Sequence, residues 1–507
     1  MPSGARRPAR NTPSSRSKAH RTGAARSHKA AKRPAKAKPA AKPKAKPAAA
    51  KAAPKAAASA KPSKAGKSLA TDADLSVAGN IYSRGKLAPG VLHVNTTTGK
   101  IVRVAKSTEC ATHIDATGKA ILPGALDLHV HFREPGHTHK EDWTTGSTAA
   151  AFGGVTGVVD MPNTLPATIS VRTVKEKLAI AQKKSLVDFG VWAGGTWYTG
   201  EMEEMLKWAV GVKTYLGSST GDLLLEDLAK FQDILTAAGK SQRPVMLHCE
   251  SERVLKQLRR NEGTLQDHDQ ARPALAEVEA IYDAMKAQAQ VKRPPPIHVA
   301  HIASADAVQA AGTAKFSMGA CPHHLLLDTG CGLSHAYGKM NPPLRDAAHK
   351  KALMDAFAAG KINILESDHA PHTSVEKEDS FHNAPSGVPG VETMAPLMLA
   401  AVGGKLHLET VVDALTINPA NLIGLKDRGV LDPGMRADFA IYDLKHPTKV
   451  DSAELHSKCG WSPYDGLKAV FPSHTYLAGK ALVHEGELVG EAGGAKPLKS
   501  LPGPLPA

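Results

Sequence analysis

Residues 125–136 read ALDLHVHFREPG, and this stretch decides both the fold class and the place of the chemistry. It is a short apolar run with two histidines, His129 and His131, at alternate positions. Alternate residues of a strand point to the same side, so both imidazoles face one way. The stretch therefore predicts a buried strand that ends in two side chains of metal-ligand type.

Seven further apolar runs of strand length follow, separated by stretches with helical spacing such as VRTVKEKLAIAQKK. Eight near-continuous apolar strands that alternate with helices are typical of a parallel barrel covered by helices. We therefore predict an α/β chain with a (β/α)₈ TIM barrel. The predicted strands span residues 125–132, 154–163, 187–192, 210–216, 244–249, 296–302, 315–321 and 361–368.

Short strand-like pieces lie on both sides of the barrel segment, and the simplest arrangement pairs them in a small β-sandwich domain. The chain then has five predicted parts. They are a disordered basic tail (1–70), the first part of the sandwich (71–122), the hydrolase barrel (123–420), the second part of the sandwich (421–490) and a C-terminal tail (491–507).

All of the basic excess lies in the N-terminal tail. Residues 1–71 hold 20 of the 64 Lys and Arg and no Asp or Glu, which leaves 44 basic and 48 acidic residues for the body. An Ala/Lys/Pro-rich stretch has nothing to bury and repels itself, which predicts disorder. Two interpretations stay open: an arm that binds polyanions non-specifically, and a solubilising extension without a specific partner.

Composition also bounds the compartment. No run of about eighteen apolar residues occurs, so we expect no membrane-spanning helix. The five cysteines are odd in number and far apart, and no C-x-x-C motif is present. A disulfide framework and a zinc ribbon are therefore disfavoured, and we expect a cytoplasmic protein.

Side chains of metal-ligand type also follow four later strands, at the barrel end where such folds carry their chemistry. They are Lys213, His248, His301 and Asp368. Each of these residues alone has an ordinary structural explanation, but their shared position at one end of the predicted barrel favours a metal site. A buried lysine must lose its charge or be paired, and its carbamate could bridge two metals. His298 competes with His301, but its opposite parity directs it away from the barrel if the strand is regular.

Longer motifs surround these residues: DLHVHFREPGHTHKEDWTTGSTAAAFGGVTGVVDMPNT, ESDHAPHT, GVPGVET, NPPLR, CPHHL and TINPA. Together they resemble the dihydroorotases of the amidohydrolase superfamily. The closing run GVLDPGMRADFAIYDL resembles the C-terminal motif of that superfamily. The resemblance covers roughly residues 75–486 and none of the tail.

The resemblance implies a site with two zinc ions per subunit. The more buried metal would be bound by His129, His131 and Asp368, the other by His248 and His301, with carbamylated Lys213 as the bridge. It also implies substrate contacts, which would be made by Arg133, Asn163, His372, Pro389 and Gly390.

The implied reaction is the reversible interconversion of N-carbamoyl-L-aspartate and L-dihydroorotate, the third step of pyrimidine synthesis. A metal-bound hydroxide would attack the ring amide, and Asp368 would be the catalytic carrier of the proton. The implied partners are this small-molecule substrate, further copies of the chain in a homo-oligomer, and an aspartate transcarbamoylase.

Two alternatives stay open. Another cyclic-amide hydrolase, an allantoinase or a dihydropyrimidinase, would open a ring without a carboxylate and would leave Arg133 without an anionic partner in the substrate. A non-catalytic dihydroorotase-like partner is disfavoured because the ligand positions are all present. Arg133 could instead form an ion pair with Glu134 or Asp142.

Residues 327–341 and 379–387 are candidates for a loop that closes over the site.

Overall fold

The computed structural model describes residues 73–106, 110–219, 221–499 and 502–506. The predicted disordered tail, residues 1–70, lies outside the described residues. Four strands precede the barrel: β1 (Leu75–Ser83), β2 (Lys86–Asn95), β3 (Lys100–Ala105) and β4 (Thr112–Pro123). The barrel strands are β5 (Ala125–Val130), β6 (Val155–Asp160), β7 (Asp188–Gly195), β8 (Gly211–Tyr215), β9 (Val245–His248), β10 (Ile297–Val299), β11 (Ser317–Ala320) and β12 (Ile364–Leu365). Six strands follow: β13 (Phe439–Tyr442), β14 (Thr448–Lys449), β15 (Lys468–Ala469), β16 (Pro472–Leu477), β17 (Lys480–His484) and β18 (Glu487–Leu488).

The helices lie mainly between the barrel strands. They are α1 (Trp143–Phe152), α2 (Val171–Lys184), α3 (Met202–Met205), α4 (Leu228–Lys240), α5 (Glu252–Leu258), α6 (Leu265–Ala271), α7 (Ala274–Ala289), α8 (Ala305–Ala314), α9 (Pro322–Leu326), α10 (Ala347–Ala358), α11 (Ser374–Lys377), α12 (Met394–Ala400), α13 (Leu408–Leu415) and α14 (Ile417–Ile423). Within the described ranges, none of them combines the length and the apolar character that a bilayer crossing needs.

The barrel has all eight predicted strands, each within or next to its predicted range. Neighbours pair in parallel and in chain order from β5 to β12. A bridge from Val130 to His369 closes the ring, and the backbone N–H of His131 donates to His369 O at 2.8 Å. β5, β6 and β7 are buried along their whole length, as expected for strands covered on both faces. The predicted (β/α)₈ barrel is therefore confirmed.

The strand pieces on both sides of the barrel segment join in one mixed sheet. Its order is β18-β17-β16-β13-β4-β1-β2-β3, and antiparallel pairing of β4 with β13 sets Phe439 opposite Pro123. Leu92 and Ile441 belong to one apolar cluster on this sheet. Because β4 runs through Gly124 directly into β5, the sheet is attached to the start of the barrel.

A short C-terminal segment covers the end of the barrel opposite the predicted site. The N–H of Phe189, near the start of β7, donates to Lys496 O at 3.1 Å, and the N–H of Leu498 donates to Phe189 O at 2.7 Å. The side chain of Leu498 is 4% exposed and packs over Gly157 beside Leu126. This segment therefore completes the apolar core at the start of the strands.

We expect Leu498→Ala to lower the free energy of unfolding by about 2–5 kcal/mol, because it leaves a cavity in the core. Leu488→Ala is the matched control, since Leu488 is 46% exposed and its truncation should change stability by less than about 0.5 kcal/mol. Urea unfolding of both variants measures the difference. Equal stability of the two would show that the C-terminal segment does not contribute to the barrel core.

Candidate metal centre

The first group of predicted ligands comes from the two strands that meet at the barrel closure. His129 Nε2 and His131 Nε2 lie 3.3 and 3.2 Å from the same oxygen, Asp368 Oδ1. His131 Nδ1 donates to Asn163 Oδ1 at 2.8 Å, so its Nε2 carries a lone pair. A lone pair and a carboxylate oxygen at this distance need a proton or a cation between them.

The second group lies beside the first. His248 Nε2 donates to Glu250 Oε2 at 2.9 Å, which leaves the lone pair of His248 on Nδ1. This Nδ1 faces His301 Nε2 at 3.2 Å, and the ring of His301 is 5.1 Å from that of His129. The structure thus brings four imidazoles and one carboxylate into a single cleft.

Lys213 lies in the middle of β8 and is fully buried. Its Nζ has no hydrogen-bond partner among the described residues and lies 5.2 Å from the ring centre of Tyr215. Burial lowers the pKa of Lys213 to about 8, although the negative charges of Glu366 and Asp368 act to raise it. A substantial fraction of this amine is therefore neutral near pH 8, the form that reacts with carbon dioxide.

The protonation states of the histidines suit metal binding. Burial lowers the pKa of His131 to about 3, and it also lowers the pKa of His248 and of His301. Burial alone would raise the pKa of Asp368, but His129 and His131 hold it well below its usual range. Neutral imidazoles and an ionised carboxylate are the forms that bind a divalent cation. The converging lone pairs and the orphaned amine of Lys213 therefore fit a metal pair.

Three residues of the site have left-handed backbone conformations that ordinary residues seldom adopt. The φ angles are 61° at Arg133, 40° at His301 and 45° at Asp368. Such conformations cost free energy and persist where the surrounding structure fixes them. The barrel therefore holds these side chains in set directions at its mouth.

Arg133 lies beyond the first strand, on one wall of the same cleft. It is buried, its Nε donates to Pro371 O at 3.1 Å, and its Nη2 is 3.1 Å from His372 Nε2. The carboxylates proposed as its alternative partners are engaged elsewhere, since Glu134 pairs with Lys184 and Asp142 with Lys458. Among the described residues, no carboxylate oxygen lies within 4 Å of its guanidinium.

Lys140 is a neighbour of this wall that sequence reasoning missed. Its Nζ donates to His372 Nδ1 at 3.0 Å and lies 2.7 Å from Glu376 Oε1. His372 Nε2 lies 3.1 Å from Ser386 O, which can only accept, and 3.1 Å from Arg133 Nη2, which can only donate. The family motif contained Lys140, in THKED, but no spacing rule connects it with a residue 232 positions away.

Ser386 and Gly387, which follow strand eight, line the cleft. The predicted contact Asn163 lines it too, as does Asn341 from the first candidate loop. The N–H of Gly390, by contrast, donates to His369 Nδ1 at 3.1 Å. Ser386 and Gly387 are thus residues of this segment at the cleft that sequence reasoning did not name as contacts.

The two candidate closing loops are fastened by one buried lysine. Lys377 Nζ donates to Lys339 O at 3.1 Å in the first loop, and to Pro385 O and Gly387 O at 3.0 and 2.9 Å in the second. Both loops therefore have fixed backbones beside the cleft in this conformation.

The expectation that His298 faces away from the barrel is wrong. Its Nε2 lies 3.6 Å from Glu366 Oε2, in the barrel interior beneath the ligands. β10 ends at Val299, and the chain then turns, with a φ angle of 40° at His301. Strand parity therefore no longer relates His298 to His301, and both reach the interior at different depths.

Comparison with known proteins agrees with this geometry. The model of the amidohydrolase family matches residues 120–482, most of the chain and all of the barrel. The chain belongs to the amidohydrolase family. The match includes every predicted ligand of this amidohydrolase.

Relatives of this amidohydrolase are similar over most of their length. A protein named dihydroorotase from Methanosarcina acetivorans is 36% identical over 441 residues, which are 82% of this chain and 92% of that protein. Another, from Halobacterium salinarum, is 38% identical over 378 residues, 73% of this chain and 87% of that protein.

Solved structures of similar fold carry different names. An L-hydantoinase (dihydropyrimidinase) from Arthrobacter aurescens has a TM-score of 0.78 and 27% identity, and it covers 84% of this chain and 99% of its own. A D-hydantoinase (dihydropyrimidinase) from Thermus sp. has a TM-score of 0.76 and 25% identity, with 84% and 99% coverage. Both similarities agree with the barrel and its attached sheet.

We expect Arg272→Met to lower the free energy of unfolding by about 3–5 kcal/mol, because it leaves the buried Glu250 carboxylate without its cation. Burial alone would raise the pKa of Glu250, and Arg272 and His248 together hold it well below its usual range. The stabilisation is therefore fully present above the unfolded pKa of about 4.3 and is lost as the pH falls below it.

Arg253→Met is the matched control, because the Arg253–Glu279 pair is largely exposed and should contribute less than about 1 kcal/mol. Urea unfolding at pH 7 and at successively lower pH measures both variants. A cost for Arg272→Met that does not diminish in acid would contradict this assignment.

Proposed function

We propose that this amidohydrolase is a dihydroorotase, which interconverts N-carbamoyl-L-aspartate and L-dihydroorotate. The observation that carries the proposal is the buried Arg133, which lines the same cleft as the cluster of histidines and Asp368. A planar guanidinium suits a bidentate grip on a carboxylate, and L-dihydroorotate carries one beside its ring amide. The names of the relatives, at 36% and 38% identity, support the same substrate.

The proposed cofactor is a pair of zinc ions. His129, His131 and Asp368 would hold one and His248 and His301 the other, and a carbamylated Lys213 would join the two sets. When bound, such a pair supplies an electrophile for a carbonyl oxygen and a water of lowered pKa.

Asp368 is the proposed carrier of the proton. Its carboxylate lines the cleft together with the histidines, which hold its pKa well below the usual range, and 11% of the side chain is exposed. One oxygen of this carboxylate would take the proton of the attacking water and return it to the ring nitrogen as the amide bond breaks. In the opposite direction the same atom takes a proton from the carbamoyl nitrogen as the ring closes.

Arg133, His372 and Asn163 are the proposed substrate contacts. Arg133 would hold the carboxylate, the imidazole of His372 would lie at its side, and the Asn163 amide would face the ring from the loop after β6. Pro389 and Gly390 are further proposed contacts through their backbone, and Ser386 and Gly387, which line the cleft, are added to them. These groups orient the ring so that its amide carbonyl faces the metal ligands.

The proposal also includes the compartment, the partners and the domain division of the chain. The substrate is a small molecule, and we propose a cytoplasmic enzyme that forms homo-oligomers and associates with an aspartate transcarbamoylase, as the resemblance implies. The basic tail would add non-specific polyanion binding. The division into tail, two-part β domain, barrel and C-terminal segment is likewise proposed.

The experiment that tests the function compares three ring substrates on the zinc-loaded full chain: L-dihydroorotate, dihydrouracil and allantoin. We expect turnover of L-dihydroorotate alone and its loss on treatment with a chelator. Turnover of an uncharged ring instead would move the assignment to a dihydropyrimidinase or an allantoinase. No turnover of any of them, with zinc bound, would favour a non-catalytic partner.

Arg133→Met should lower kcat/KM for L-dihydroorotate on the order of a hundredfold, because the substrate carboxylate loses its buried cation. Arg133→Lys is the control that keeps the charge without the planar fork and should recover part of the loss. Initial rates across a substrate series measure both. An unchanged kcat/KM in Arg133→Met would remove the carboxylate role from this residue.

Lys213→Met should reduce bound zinc below two equivalents per chain, because the anionic bridge is lost. Metal analysis after loading with zinc and bicarbonate measures the stoichiometry. ¹³C NMR after labelling with ¹³C-bicarbonate should show a carbamate signal in the wild type that is missing in Lys213→Met. Lys207→Met, an exposed lysine, serves as the control, and two equivalents in Lys213→Met would rule out the bridge.

A further inference from the structure

Glu366 is a fully buried acid that directly follows β12 and precedes Ser367 and Asp368. Its Oε2 lies 3.4 Å from His129 Nδ1 and 3.6 Å from His298 Nε2. Its Oε1 accepts a hydrogen bond from the backbone N–H of His301. One carboxylate thus reaches one predicted ligand of each proposed metal.

The proton on His129 explains why this contact matters. His129 Nε2 faces Asp368 Oδ1 at 3.3 Å, so a metal would take the lone pair of Nε2 and the proton must lie on Nδ1. Glu366 Oε2 is the carboxylate oxygen within 4 Å of this Nδ1. The two atoms do not form a hydrogen bond in this conformation, and neither has another hydrogen-bond partner among the described residues. Two other ligands do have such partners, since His131 donates to Asn163 and His248 donates to Glu250.

The contact with His301 acts on the backbone. His301 has a φ angle of 40°, in the left-handed region that an ordinary residue leaves unless it is held. The hydrogen bond from its N–H to Glu366 Oε1 is such a restraint. It fixes the direction in which the imidazole of His301 leaves the end of β10.

Gly319 provides the space that the carboxylate occupies. A Cβ atom at Gly319 would lie 2.3 Å from Glu366 Oε1 and 2.8 Å from His298 Nε2. His298 closes the other side, with its Nδ1 2.9 Å from Ser317 Oγ. The absence of a side chain at Gly319 on β11 therefore leaves room for the long acidic side chain of Glu366 after β12.

We propose that Glu366 is a positioning residue that orients a ligand of each metal at once. Oε2 would accept the proton of His129 Nδ1 when Nε2 binds a metal, and Oε1 holds the backbone of His301. The proposal deepens the proposed function, because it assumes the metal site, but it does not depend on the identity of the substrate.

The test measures zinc affinity, without substrate, by competition with a chromogenic chelator. Glu366→Gln keeps the size of the side chain but has one oxygen for two donors. We expect its zinc affinity to fall on the order of 10- to 100-fold, the usual effect of losing a partner of a metal ligand. At saturating zinc, KM for L-dihydroorotate should stay within about twofold of the wild type, because Glu366 does not line the cleft.

Asp188→Asn is the matched control. Asp188 is an equally buried barrel carboxylate, but it pairs with Arg428 and Arg436 at the opposite end. This variant should lose stability and keep its zinc affinity. An affinity of Glu366→Gln equal to that of the wild type would overturn the proposal.

A rescue variant separates positioning from a general loss of folding. Glu366→Asp keeps both carboxylate oxygens for the two donors on a shorter side chain. We expect it to bind zinc more tightly than Glu366→Gln, and no recovery in a Glu366→Asp variant that melts as a folded protein would count against the proposal. If the wild-type protein binds zinc but does not turn over L-dihydroorotate, the proposed function is wrong, whereas the inference about Glu366 is unaffected.

Discussion

Closure of the barrel between β5 and the segment after β12 is the constraint on which the site depends. The N–H of His131 donates to His369 O, and the N–H of Ser367 donates to Asp127 Oδ1 at 3.2 Å. These bonds join segments about 240 residues apart and set Asp368 against both histidines of β5. Without closure, the first group of ligands would have no carboxylate.

Burying so many charged groups is costly, and the chain offsets the cost by pairing them. Lys177 reaches Asp160 beneath the mouth, and Arg272 reaches Glu250 behind His248. Lys213 differs, because no hydrogen-bond partner meets its Nζ among the described residues. A buried amine must lose its charge or be paired, and the proposed carbamate of Lys213 would do so by forming an anionic bridge.

Specificity and metal binding are built from different parts of the barrel mouth. Most of the predicted ligands stand at or just after strand ends, which are held by the sheet. Arg133 and the 386–387 backbone stand on loops, and Lys377 fixes the second of these through Gly387 O. This division explains how hydantoinases share the fold at a TM-score of 0.78 while the proposed substrate here is charged.

The sequence by itself determined the eight strands, the ligand types and the pairing of strand pieces across the barrel, because these follow from local periodicity and strand ends. It could not reveal Glu366, Lys140 or Leu498, since each acts through partners far away in the chain. It also placed His298 wrongly, because strand parity fails once a strand ends in a turn. Only the tertiary structure decided these contacts, since burial and proton placement depend on which distant atoms meet.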